Sequence, residues 1–149
     1  MAFKLTSPAF PDGGPVPVQF TCDGSDAPPP LTVSDPPPAT RSFALIVDDP
    51  DAPKGTFVHW LAYDIPVPAN EAELSADRGT TLRNGFGRQG YGGPCPPPGD
   101  DPHRYHFTLY AVDVERLEVT SDNRKDLEQA LSGHTLATTR LTGRYARAR

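Results

Sequence analysis

Three long apolar runs dominate the pattern of hydrophobic and polar positions. Ser42 to Asp49 (Ser-Phe-Ala-Leu-Ile-Val-Asp-Asp) stays largely apolar until its last two residues. Phe57 to Ile65 is rich in aromatic and β-branched side chains, and Tyr105 to Val114 is the third run. Runs of this length and type predict central strands covered on both faces. Pro50-Asp51-Ala52-Pro53-Lys54-Gly55 separates the first two and reads as a turn. Asn84 to His103, with six glycines and five prolines, reads as a long loop region. One helix is predicted, capped by Ser121 or Asp122, with Leu127, Ala130 and Leu131 on one face and Gly133 as its stop. Beyond it, Ala137, Thr139, Leu141, Gly143 and Tyr145 alternate with more polar neighbours as a closing strand. In the first 40 residues, Val16 to Phe20 and Leu31 to Val33 lie between proline- and glycine-rich turns, which predicts short edge strands. The sum is a mostly antiparallel β protein with little helix.

Composition narrows this picture. At 149 residues the chain has room for one domain, 1–149. Its 19 prolines exclude a bundle of long helices. With 14 Lys plus Arg against 19 Asp plus Glu, the net charge of -5 argues against nucleic acid as a partner. No run approaches the roughly 18 apolar residues of a membrane span. The first six residues contain no apolar signal core, so the expected compartment is the cytoplasm. In that setting Cys22 and Cys95 are expected as free thiols, Cys95 as a small buried residue between Pro94 and Pro96.

Strand parity then locates candidate chemistry, since alternate residues share a face. Phe43, Leu45, Val47 and Asp49 form one row, and Phe57, His59, Leu61 and Tyr63 another. His103, Tyr105, Phe107 and Leu109 form a third, again with its polar group at the start. If the first two strands pair through their turn, Asp49, His59 and His103 meet at one rim of the sheet. A carboxylate beside two imidazoles fits an anion site, a carboxylate–imidazole metal site, or a hydrolase with Cys95 as nucleophile. The plain structural alternative is a hydrogen-bonded core His59, with Asp49 capping the amides after Pro50. The cluster Asp48, Asp49 and Asp51 reads as an Asx-rich turn rather than a calcium loop. The loop Gly85–Pro94 lacks the Lys-Ser/Thr of a phosphate-binding loop, so no nucleotide cofactor is expected.

Four ordered motifs, Asp49-Pro-Asp-Ala-Pro53, Phe57-Val-His-Trp60, Gly90-Tyr-Gly-Gly-Pro-Cys-Pro-Pro97 and His103-Arg-Tyr105, resemble those of the phosphatidylethanolamine-binding protein family. They look most like its bacterial Raf-kinase-inhibitor-like branch. The likeness extends from Ser7-Pro-Ala-Phe10 to Gly143-Arg-Tyr145. It implies two packed antiparallel sheets with a few short peripheral helices, and a pocket at the rim of the large sheet for small anions such as the phosphate of a phosphoethanolamine headgroup. By the resemblance, Asp49, His59, Gly93, Pro94, His103 and Tyr105 line that pocket, with loop amides and the two histidines holding the anion. Arg104, of opposite parity to His103, is expected in a structural salt bridge. It further implies a non-enzymatic binding protein without a cofactor, a homodimer, and as an alternative a module acting on a kinase or protease through the same rim. A weak hydrolase is the third reading. One departure stands near the rim: the family's glycine two residues before the second histidine is Asp101 here, an added carboxylate that would weaken anion binding if it faced inward.

Overall fold

The computed structural model describes residues 2–68 and 72–148. Its two antiparallel sheets are built from eight strands: β1 Lys4–Thr6, β2 Thr32–Ser34, β3 Ser42–Asp49, β4 Phe57–Ile65, β5 Ala72–Glu73, β6 Thr80–Thr81, β7 His103–Val112 and β8 Thr135–Tyr145. The large sheet runs β6-β4-β3-β7-β8 and the small one β1-β2-β5. The three apolar runs are therefore the three inner strands of the large sheet. Phe43, Leu45 and Val47 of β3 and Tyr105, Phe107 and Leu109 of β7 pack in one buried cluster with Leu5 of β1 and Val33 of β2. On the opposite face, Ala44, Ile46 and Leu61 pack with Leu127 and Leu131 of α1 (Arg124–Leu131), the one α-helix among the described residues.

Several elements differ from the sequence expectation, each for a local reason. Val18–Phe20 is a 3-10 turn rather than a strand, and Thr32–Ser34 is the middle strand of the small sheet rather than an edge. β7 begins two residues early, at His103, and stops at Val112. Asn123 caps α1, accepting from the Asp126 amide at 2.9 Å. Asp122, an expected cap, is drawn away to the Arg83 amide at 2.6 Å. Gly133 ends the helix region with φ of 83°, as expected of a helix stop.

The cysteines overturn the expectation of free thiols. Cys22 and Cys95 form a disulfide, with Cα atoms 5.4 Å apart across 73 residues of sequence. Cys95 is exposed, not buried. The flanking prolines hide its fate, because proximity to Cys22 is set by other contacts between the same two segments. The Cys22 amide donates to the Pro94 carbonyl at 3.1 Å, the Tyr91 hydroxyl to the Phe20 carbonyl at 2.7 Å, and the Gly93 amide to Asp26 at 2.8 Å. These contacts survive when the covalent link is cut. Chemical unfolding with and without a dithiol reductant should therefore show a folded reduced protein, less stable by about 2–4 kcal/mol. A reduced protein of unchanged stability would show that the link adds nothing to what the hydrogen bonds provide.

Candidate functional site

The rim of the large sheet, where β3 ends and β4 and β7 begin, holds a cavity of about 190 Å³. Its polar walls are Asp49, His59, His103 and Tyr105, and Phe57, Phe86, Ala52, Pro53 and the Cys95–Pro97 strap complete it. The rows read from strand parity thus converge, but one of them is broken just beyond the rim. Val47 pairs with Trp60 and Asp48 with Val58, so β4 carries an extra residue, His59, in a β-bulge. The bulge changes the parity of the strand. Leu61 joins the helix-side cluster and Tyr63 packs against it, while His59, expected on their face, lines the cavity. Simple alternation therefore fails beyond His59.

Asp49 is the anchor of the rim. Its Oδ1 accepts from the Asp51 amide at 2.8 Å, and its Oδ2 meets His103 Nδ1 at 2.7 Å. The turn-cap role and the site role are thus one carboxylate doing both. The two side chains are each 5% exposed, and removal of one partner from such a pair costs about 3–5 kcal/mol. The other ring nitrogen of His103, Nε2, meets Asp100 Oδ2 at 3.1 Å. Burial by itself lowers the His103 pKa, but hydrogen bonds to Asp49 and Asp100 and their charges outweigh it, and the net shift is upward. His103 is therefore an imidazolium further up the pH scale than a free histidine.

His59 is in the opposite state. Its Nδ1 lies 2.7 Å from the Gly92 carbonyl, which can only accept, so Nδ1 carries the proton. Rings of Phe57, Tyr105 and Phe86 surround it at centroid distances of 5.0, 5.2 and 5.5 Å. This burial lowers its pKa against the smaller opposing effects of Gly92 and Asp49. Near neutrality the ring is uncharged and its lone pair sits on Nε2. Tyr105 completes the set: its hydroxyl is buried with no hydrogen bond of normal geometry among the described residues, and burial first, then the charge and proximity of the Asp49 carboxylate, raise its pKa. It stays a hydroxyl, a donor awaiting an acceptor.

Gly93 and Pro94, expected in the pocket, lie behind its wall. The Gly93 amide is taken by Asp26, and a side chain at Gly93 would strike the Phe20 carbonyl. The Pro94 carbonyl accepts from Cys22. Arg104 pairs with Asp51 through Nε at 3.0 Å and Nη2 at 2.9 Å, as parity implied, and this holds the Asp51 pKa at about 2. Phe57, Phe86 and the proline strap were not foreseen as walls. The available signal was glycine: side chains at Gly85 and Gly92 would strike the rings of Phe57 and Phe86. The loop from Asn84 closes on the buried Asn84 side chain, which donates to the Gly90 carbonyl at 2.9 Å and accepts from the Phe86 amide at 2.9 Å.

The comparisons with known proteins agree along the whole chain. A family model described as phosphatidylethanolamine-binding protein matches residues 6–146. A UPF0098 protein of Aquifex aeolicus is 44% identical over 153 residues, covering 97% of this chain and 88% of that one. LppC of Mycobacterium tuberculosis, named as a candidate lipoprotein, is 41% identical over 143 residues, covering 95% of this chain and 71% of its own. The crystal structure of CT736 from Chlamydia trachomatis, titled as a candidate phosphatidylethanolamine-binding protein homologue, superposes with a TM-score of 0.87 at 39% identity, covering 98% of each chain.

The raised pKa of His103 sets a pH dependence of stability. Its contribution is fully present below the unfolded histidine value of about 6.5 and is lost as pH rises through the folded value. Unfolding free energies measured from pH 6 to 9 should fall for the wild type and fall less for His103→Gln. Parallel curves for the two proteins would remove His103 as the titrating group.

Proposed function

The chain belongs to the phosphatidylethanolamine-binding protein family, and from that premise we propose that its rim cavity receives a phosphate group, free or at the end of a phosphoethanolamine-type headgroup, without transforming it. The observation that carries this reading is the Tyr105 hydroxyl, a buried group of a cavity-lining residue that makes no hydrogen bond of normal geometry among the described residues, with Asp49 its nearby acidic neighbour. Leaving such a group unsatisfied costs about 1–3 kcal/mol, and an anionic oxygen recovers it. His59 adjoins it. Protonated, His59 adds a second donor through Nε2; neutral, it accepts from a ligand that brings its own proton, as a phosphate monoanion does. Aromatic and proline walls exclude water and strengthen both contacts. The size fits a headgroup: about 190 Å³ falls below the roughly 300–1,000 Å³ of pockets for drug-sized ligands.

Binding rather than hydrolysis is favoured by the state of the nucleophile. Cys95, the thiol a hydrolase would have needed, is in the disulfide. The Tyr105 hydroxyl is held protonated. The residues expected to contact ligand are accordingly His59, His103 and Tyr105, with Asp49 positioning His103. Action on a kinase or protease remains the second reading, favoured by Phe86, which is 41% exposed beside the cavity. No helix among the described residues is long and apolar enough to cross a membrane. The disulfide weighs against the cytoplasmic expectation and favours an oxidising compartment.

Calorimetric titration at pH 6 of phosphoethanolamine, phosphate and acetate tests the proposal. Saturable binding of the two phosphates should be lost in His59→Ala and weakened about tenfold in Tyr105→Phe. Because the His59 pKa lies below the ordinary 6.5, affinity for bare phosphate should rise as pH falls from 7 to 5. Wild-type affinity unchanged by either substitution would sink the cavity as the site. Anion binding lost in His59→Ala with partner pull-downs intact would separate the two readings.

A further inference from the structure

Two carboxylates of unequal standing hold the His103 ring. Asp49 is 5% exposed and engaged on both oxygens; the Asp100 side chain is 44% exposed. Among the described residues, His103 Nε2 is the one hydrogen-bond partner of the Asp100 carboxylate. That contact is built by the backbone. The Asp100 amide donates to the Pro97 carbonyl at 3.2 Å, with Pro98 and Gly99 at the centre of the turn and Gly99 at φ of 89°. Proline followed by a left-handed glycine is the pattern of a type II turn. The Gly99 amide is fixed in turn to the Arg147 carbonyl at 3.0 Å. Asp100 is therefore delivered to the imidazole at little further entropic cost. Asp101, the added carboxylate singled out from the sequence, makes no such contact among the described residues; it lines a more open groove outside the cavity, which Asp100 also lines with Asp51, Arg104 and Arg144. His103 stands in the wall shared by that groove and the cavity.

An imidazolium with both N–H groups engaged has no donor left for a ligand. We propose that Asp100 is an internal competitor and a specificity-determining residue of the anion site: its carboxylate holds the Nε2 edge of His103, and an incoming anion gains that donor only by displacing it. This rests on the anion-binding reading given above. Displacement selects among anions. Acetate offers one carboxylate in exchange for another and gains nothing at His103. A phosphate takes the place of Asp100 with one oxygen and keeps others for Tyr105 and His59. The competitor thus filters out simple carboxylates while the phosphate overcomes it.

The test is titration of inorganic phosphate and sodium acetate into the disulfide-intact wild type, Asp100→Asn and Asp101→Asn. Asp100→Asn should bind phosphate about tenfold tighter and gain more for acetate, narrowing the preference, while Asp101→Asn stays within about twofold of wild type. In the wild type, phosphate should move the His103 Nε2 nitrogen resonance, reporting the exchange of partners in the unmutated protein. Equal phosphate affinity in wild type and Asp100→Asn, both binding, removes the competitor and leaves the anion site standing. Phosphate failing to bind either protein removes the anion reading, and the competitor with it.

Discussion

The Asp49 carboxylate is the contact on which the rim depends. It closes the turn after β3 through the Asp51 amide and orients the first residue of β7 through His103. One side chain thereby fixes two of the three strand ends that form the site. Asp51, positioned by the same turn, locks Arg104 on the outer face, so successive residues of β7 are clamped from opposite sides of the sheet. Buried ion pairs are weak evidence for net stability, because desolvation consumes much of the Coulombic gain. Their effect here is geometric: an imidazolium ring held at both nitrogens has one orientation.

The third strand end is set by a different device. His59 shares the cavity face with Phe57, which pairs with Asp49, and the extra residue that β4 accommodates there turns Leu61 and Tyr63 to the other face. The Gly92 carbonyl then fixes its tautomer, and three aromatic rings fix its charge state. The site therefore holds two histidines in opposite states within one rim. His103 is charged and engaged; His59 is neutral and open. The difference arises from partners, two carboxylates against a carbonyl, rather than from depth alone.

How much of this was legible in the chain depends on the range of the forces involved. β3 and β4 were readable to the residue, because a run of apolar side chains buried on both faces needs no partner to be recognised. The salt bridge of Arg104 followed from parity alone. Of the short strands of the small sheet only the one near Leu31–Val33 was readable, and as an edge: its central place, at Thr32–Ser34, is set by register with neighbours distant in sequence. The bulge at His59 left no mark in composition, so the right residue was placed in the site while its supposed companions Leu61 and Tyr63 lie on the far face. Gly93 was read as an anion donor because it stands in a motif, yet packing against Phe20 and Asp26 consumes its amide. The disulfide was hidden for a similar reason. Its two cysteines meet through hydrogen bonds of the backbone around them.

These arrangements leave the cavity with few free polar groups. Both nitrogens of His103, one nitrogen of His59 and the amides of Gly92 and Gly93 are engaged within the protein. Among the described side chains that line the cavity, the Tyr105 hydroxyl and the Nε2 of His59 make no hydrogen bond of normal geometry. A site with one donor and one acceptor in an apolar wall discriminates poorly by charge and well by protonation state. A fully ionised anion meets one donor and one lone pair, an attraction and a repulsion. An anion that carries a proton satisfies both groups, and so does the same anion once His59 takes up a proton. On the proposed reading, a bound anion and the Nε2 of His59 are matched when they share a proton, because the Gly92 carbonyl commits the other nitrogen of His59.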